Sequence, residues 1–234
     1  MPTVPGFLPS SSGFHFPNAF DHVPTLTISV LGHHVGLGDA ANGLCGGMAF
    51  AVRDLHQAAQ QPPPDTGPPS KGPLFDYLVE RLFASFDLPG GVLTYLHLMS
   101  PDLPDGETWL SEHGLAPHGR AWVTVREQWP RVRRDLDGGR LSPLGLVQVK
   151  SSDPRRLGVN HQVLAYGYDV SGQERTVVTV RVYDPNLPDR DDVTFTFDTA
   201  HPDLATSIER SDGTLPLFAF FRTRYSRRKP PALD

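Results

Sequence analysis

The predicted fold of this chain is decided by residues 161–185, which read HQVLAYGYDVSGQERTVVTVRVYDP. The runs at 161–168 and 175–183 are rich in Val, Tyr and Thr, which is typical of β-strands. The turn-forming residues between these runs predict that the two strands pair as an antiparallel hairpin. The end of the second strand in such a hairpin lies beside the start of the first. His161 and Asp184 are therefore expected to be neighbours.

Outward from this hairpin, the chain divides into a mainly helical half and a strand-rich half. Other runs with a strand-like pattern are residues 25–31, 144–149, 193–197 and 215–225. Apolar residues at three- and four-residue spacing predict helices that begin at Cys45 and Pro73, and helices over 90–99 and 119–137, the last interrupted at Pro130. Because helices and strands are segregated rather than alternating, the sequence predicts an α+β fold with an antiparallel sheet.

We expect one domain over residues 1–234. Its parts are an irregular N-terminal segment (1–24), a mainly helical part (25–140), a β-sheet part (141–226) and a C-terminal tail (227–234). The N-terminal segment is expected to be fixed to the body of the protein by three aromatic side chains: Phe14, Phe16 and Phe20.

Charge and composition exclude several classes of protein. The net charge is -5, with 21 Lys and Arg against 26 Asp and Glu, so a nucleic-acid partner is not expected. The single cysteine excludes an intrachain disulfide. The sequence lacks both the apolar run of about 20 residues that a membrane helix needs and the pattern of a signal peptide. The simplest expectation is a cytoplasmic protein without a membrane partner; leaderless export is the alternative, and the oligomeric state stays open.

The cysteine lies in GLCGGM (43–48), at the predicted start of a helix, with Asn42 as a candidate N-cap. The unpaired N–H groups and the dipole of a helix N-terminus favour a thiolate and can face an oxyanion. Gly46 and Gly47 each cost up to ~1 kcal/mol in a helix relative to Ala. Their presence indicates that another part of the chain, or a substrate, comes close to Cys45. The alternative is a buried and inert cysteine.

A thiolate nucleophile needs a base, and the base needs an orienting partner. Of the 10 histidines, His161 is the best candidate because it opens an apolar strand and can face a cleft. Asp184 is the expected orienting residue, and Asn186 is the alternative. Either side chain can accept the N–H of one imidazole nitrogen and hold the other nitrogen toward the thiol.

An acidic stretch, DPNLPDRDD (184–192), gives a competing interpretation. Oxygen ligands at this density can hold Ca²⁺, but the spacing does not match the EF-hand loop, so an exposed acidic turn is the favoured interpretation. His33 and His34 have no partner at metal-ligand spacing, so no metal site is expected there. Motifs for phosphate, dinucleotide and zinc-peptidase sites are missing, and we expect no cofactor.

Cys45 on a helix, followed by His161 and Asp184 on later strands, resembles the papain-like cysteine peptidase superfamily. GLCGGM, NHQVLAYGYD, VYDPN and LDGGRLSPLGLV (136–147) look most like its bacterial branch of bacteriocin-leader-processing peptidases, over about residues 36–198. The resemblance implies a helical lobe and a β lobe with a cleft between them. It also implies a peptide or protein substrate and thiolate attack on an amide or other acyl carbonyl through a covalent acyl-enzyme.

Two departures from the family pattern concern the cysteine motif. Cys45 is followed by two glycines and Met48, with no aromatic residue. The oxyanion glutamine that the family places six residues upstream is replaced by Asp39, which leaves Asn42 as the candidate oxyanion donor beside the backbone N–H of Cys45. We therefore expect a papain-like cysteine hydrolase. The alternatives are a catalytically inactive papain-fold binding or scaffold protein and a transglutaminase-type acyl transferase.

Overall fold

The computed structural model describes residues 2–20, 26–30, 33–37, 43–202, 209–211, 213 and 216–232, with the backbone alone at 26–30, 33–37 and 209–210. In this part of the chain the helices are α1 Pro9–Ser12, α2 Cys45–Gln57, α3 Pro73–Ser85, α4 Gly90–Met99, α5 Trp109–Glu112, α6 Arg120–Trp122 and α7 Trp129–Asp137. A 3-10 turn covers Pro154–Val159. None of the helices in these ranges is long and apolar enough to cross a membrane.

The predicted helices at 45, 73, 90–99 and 119–137 are confirmed. The interruption in the last one takes the form of a π-helical stretch, Val123–Gln128, which joins α6 to α7. Pro130 lies in the first turn of α7 and has no N–H to donate to the preceding turn. The wider π turn therefore lies immediately before the proline.

The strands form two antiparallel groups. Strands β1 Leu26–Val30 and β2 His33–Leu37 pair with each other. The main sheet has the order β7-β6-β5-β4-β3-β8 among the described residues. Its strands are β3 Ser142–Val147, β4 His161–Ser171, β5 Val177–Tyr183, β6 Thr194–Asp198, β7 Glu209–Arg210 and β8 Ala219–Arg222. The α+β class and the antiparallel sheet are confirmed, whereas β2 and β7 were not predicted.

The predicted hairpin of β4 and β5 is present. Leu164 lies opposite Tyr183, so the chain leaves β5 at Asp184 close to the first residues of β4. Helix α2 packs against β4 on one side and α3 on another, and its residues from Cys45 to Leu55 are buried. This packing places the start of α2 beside the start of β4.

The two glycines after Cys45 allow α3 to approach α2. A Cβ atom on Gly47 would lie 2.2 Å from the carbonyl oxygen of Leu78, and one on Gly46 would lie 2.1 Å from Oγ of Ser85. The close approach that the sequence indicated is therefore made by another part of the chain. The glycines are needed for helix packing, and their presence is not by itself a sign of substrate access.

The N-terminal segment is fixed to the sheet and the core, as predicted. Phe14, Phe16 and Phe20 are buried, with ring centroids of neighbouring pairs 5.0 and 6.2 Å apart. The N–H of Val4 donates to the carbonyl oxygen of Tyr166 at 2.8 Å. Residues 2–20 therefore belong to the folded body, and α1 is the only helix in this range.

Candidate active site

Cys45 is the first residue of α2, and Leu44 precedes it as the N-cap. The side chain is 8 % exposed, so the thiol lies just below the surface. The N–H groups of the first helical turn have no acceptor within the helix, and they point toward the N-terminal end where Cys45 lies.

His161 lies between Cys45 and Asp184. Its Nε2 is 2.6 Å from Oδ1 of Asp184, and both side chains are buried. Asp184 as a carboxylate is only an acceptor, so Nε2 carries a proton, which leaves Nδ1 for the interaction with Cys45. The predicted proximity of His161 and Asp184 is confirmed, and it follows from the β4–β5 hairpin. The structure brings Cys45 to the same place through α2.

The charge state of His161 follows from two opposing effects. Burial lowers the pKa of the imidazole, because the charged form loses its hydration. Asp184 and the ionised form of Cys45 act in the opposite direction and prevail, which raises the pKa of His161 to about 10. The geometry thus favours an imidazolium at neutral pH.

Asn186 does not take the orienting position. Its side-chain Oδ1 accepts from Nδ2 of Asn18 at 3.1 Å, and its backbone N–H donates to Oδ1 of Asp184 at 2.9 Å. Of the two alternatives, the structure places Asp184 at the imidazole. Asn42, the candidate oxyanion donor, and Asp39 lie outside the described residues, so that expectation stays a prediction.

Sequence reasoning missed Asn18. Its Oδ1 accepts from the N–H of Leu44 at 2.5 Å, next to the cysteine. The two residues are 26 positions apart, and no periodicity or motif connects them. Gly43, two residues before Cys45, has φ of +58°, a conformation that favours glycine.

A small pocket of about 50 Å³ opens beside Cys45. Its apolar lining residues are Leu82, Phe86, Val92 and Leu157. Three polar side chains, Tyr95, Asn160 and Gln162, also line the pocket. Tyr95 donates its hydroxyl proton to the carbonyl oxygen of His161 at 3.1 Å. The sequence carried one signal for Gln162, because it is a polar residue within the apolar run that follows His161.

The acidic stretch has its carboxylates engaged by neighbouring groups. Asp189 lies 2.6 Å from Nδ1 of His15, Asp191 accepts from Ser10, and Asp192 pairs with Arg190. The described residues contain no group of three or more His, Cys, Asp or Glu side chains that could hold a metal ion. The calcium alternative therefore receives no support, and the stretch forms a turn held by hydrogen bonds and ion pairs.

Comparison of the chain with protein-family models, curated proteins and solved structures found no match in any of the three. The functional argument therefore depends on the geometry around Cys45.

Proposed function

We propose that this chain is a papain-like cysteine hydrolase that cleaves an amide or other acyl bond through an acyl-enzyme on Cys45. The observation that carries the proposal is the buried contact series in which His161 joins Asp184 to Cys45 at a helix N-terminus. A nucleophile, a base and an orienting group in this order are what thiol-dependent acyl transfer requires. The packing of α2 on β4 supports a papain-like arrangement of a helical part against a sheet.

The reaction has two stages. In the first, the Cys45 thiolate attacks the acyl carbonyl, and the oxyanion is stabilised by N–H groups of the first turn of α2. The tetrahedral intermediate collapses as His161 gives its Nδ1 proton to the leaving amine or alkoxide, which leaves a thioester on the sulfur. In the second stage, neutral His161 takes a proton from water, the hydroxide attacks the thioester, and the thiolate leaves. Asp184 stays ionised throughout and stabilises the imidazolium.

The pocket beside Cys45 limits the size of the acyl group that the site can accept. An enclosed cavity of ~150 Å³ is known to hold benzene, whereas this pocket offers about 50 Å³. We therefore expect a short acyl chain to fit this pocket better than an aromatic ring. We expect kcat/KM for p-nitrophenyl acetate and butyrate to exceed that for p-nitrophenyl phenylacetate by about tenfold or more.

Variants at the pocket test this size limit. Phe86→Ala enlarges the pocket and should reduce the difference in kcat/KM between the butyrate and phenylacetate esters. Leu93→Ala, at a half-exposed side chain outside the pocket, should leave this difference unchanged. The same ratio of rate constants in wild type and Phe86→Ala would show that this pocket does not hold the acyl group.

Alkylation of Cys45 by iodoacetamide tests the proposed function without a known substrate. A free thiol, with a pKa of ~8.5, is almost unreactive at pH 6. A cysteine paired with an imidazolium reacts at that pH, so we expect fast labelling of the wild type and a loss of about tenfold or more in His161→Gln. Glutamine retains a donor for Asp184 but carries no charge. His97→Ala, at an exposed histidine, is the matched control.

Two outcomes of the alkylation experiment distinguish the alternatives. Slow labelling of the wild type at pH 6 would contradict the hydrolase proposal and favour an inactive binding protein. Fast labelling that His161→Gln does not slow would have the same meaning. If labelling depends on His161 but added amines accept the acyl group faster than water does, the transglutaminase-type reaction replaces hydrolysis. Circular dichroism of each variant confirms that the fold is intact.

A further inference from the structure

A ring of contacts, four of them hydrogen bonds, borders the candidate site and passes through Asn18. Oδ1 of Asn18 accepts from the N–H of Leu44 at 2.5 Å, and its Nδ2 donates to Oδ1 of Asn186 at 3.1 Å. The N–H of Asn186 donates to Oδ1 of Asp184 at 2.9 Å. The same oxygen accepts from Nε2 of His161, and the His161 ring interacts with Cys45, which follows Leu44 in the chain.

We propose that Asn18 is a positioning residue that fixes the distance between Cys45 and His161, and this inference rests on the proposed function. The nucleophile and the base lie on different elements, α2 and β4. Asn18 connects the backbone before Cys45 to the turn after β5, which carries Asp184 and therefore orients His161. It holds the two halves of the site at one separation, and an error of about 1 Å there can cost about 10²-fold in rate.

The surroundings of Asn18 suit this role. Its own N–H donates to the carbonyl oxygen of Pro185 at 2.9 Å, so the backbone as well as the side chain is tied to the turn. Phe16 and Phe20, on either side of it, are buried in the core. A Cβ atom on Gly43 would lie 2.3 Å from Nδ2 of Asn18, so only glycine at 43 lets the amide reach Leu44.

Two substitutions separate positioning from general stabilisation. Asn18→Leu opens the ring, and we expect the alkylation rate at pH 6 to fall about tenfold or more with circular dichroism unchanged. Asn18→Asp keeps the ring closed, because one carboxylate oxygen accepts from Leu44 and the other accepts from a rotated Asn186 amide. Its negative charge opposes the thiolate, so we expect its labelling profile to move to higher pH and to reach the wild-type rate there.

The matched control is Ser10→Ala. Ser10 ties the same N-terminal segment to the same turn through Asp191 but lies outside the ring. We also expect Asn186→Ala combined with Asn18→Leu to be no slower than Asn18→Leu alone, since both open the same ring.

The proposal and the function on which it rests fail in different ways. A wild-type rate in Asn18→Leu, or an equal loss in Ser10→Ala, would overturn the role of Asn18 while His161→Gln still slows labelling. Equal alkylation rates at pH 6 in the wild type and in His161→Gln would overturn the proposed function itself. Additive losses in Asn18→Leu and Asn186→Ala would show that the two residues act separately.

Discussion

A Cys45→Ala variant is expected to release no nitrophenolate from p-nitrophenyl acetate beyond the uncatalysed rate. The wild type should give a burst of about one equivalent per chain, followed by slower turnover, because the acyl-enzyme forms faster than water cleaves it. We expect a loss of at least about 10³-fold in turnover, since no other group replaces the thiolate. The cysteine is unique in the sequence, so no second thiol supplies a background.

The fold of Cys45→Ala should persist. The substitution removes one sulfur from a side chain at the edge of the core, and alanine is the best helix former. A Cys45→Ser variant is the companion, because its hydroxyl fills the space but is a weaker nucleophile. Mass spectrometry of the wild type after the burst should find the acetyl group on Cys45. A full burst in the alanine variant would place the nucleophile elsewhere.

Asp184→Asn is expected to lower kcat/KM for the same ester by about 10²- to 10⁴-fold. The amide keeps an acceptor for the Asn186 N–H, so the turn is preserved, but the negative charge that opposes desolvation of His161 is lost. The pKa of His161 should therefore fall from about 10 toward or below the ordinary value of 6.5. The imidazolium then disappears in the neutral range where the proposed reaction needs it.

Nuclear magnetic resonance of the histidine ring protons measures this shift directly. Wild-type His161 should stay protonated at pH 8, whereas His161 in Asp184→Asn should be neutral. His56 is an internal reference with the opposite behaviour, because burial lowers its pKa. Asp189→Asn, in the same turn but paired with His15, is the matched control for the activity assay. Unchanged activity in Asp184→Asn would remove Asp184 from the mechanism.

The parts of the site that follow from local rules were predictable from the sequence. The β4–β5 hairpin joins His161 to Asp184 because antiparallel strands with a short turn leave little freedom of register. The helix at Cys45 was indicated by its apolar spacing. Both rules act over short distances along the chain, so one sequence is enough to apply them.

The parts that depend on tertiary packing were not predictable. Asn18 reaches Leu44 across 26 positions, from a stretch outside the helices and strands, where no period constrains the direction of a side chain. The pocket combines α3, α4 and the 3-10 turn, whose mutual positions no local pattern encodes. Gly46 is an intermediate case. The sequence indicated that another group comes close to it, but not that this group is Ser85 of α3.

The long separation between the N-terminal segment and its partners bears on how the chain acquires its fold during synthesis. Ser10 meets Asp191 across 181 positions, and β3 pairs with β8. The segment carrying Phe14 and Phe16 therefore leaves the ribosome long before its partners exist. Contacts between residues so far apart in the chain slow folding. Apolar side chains that are exposed before these contacts form promote aggregation. Phe14 and Phe16 therefore stay without these partners until β5 and the turn after it have been synthesised.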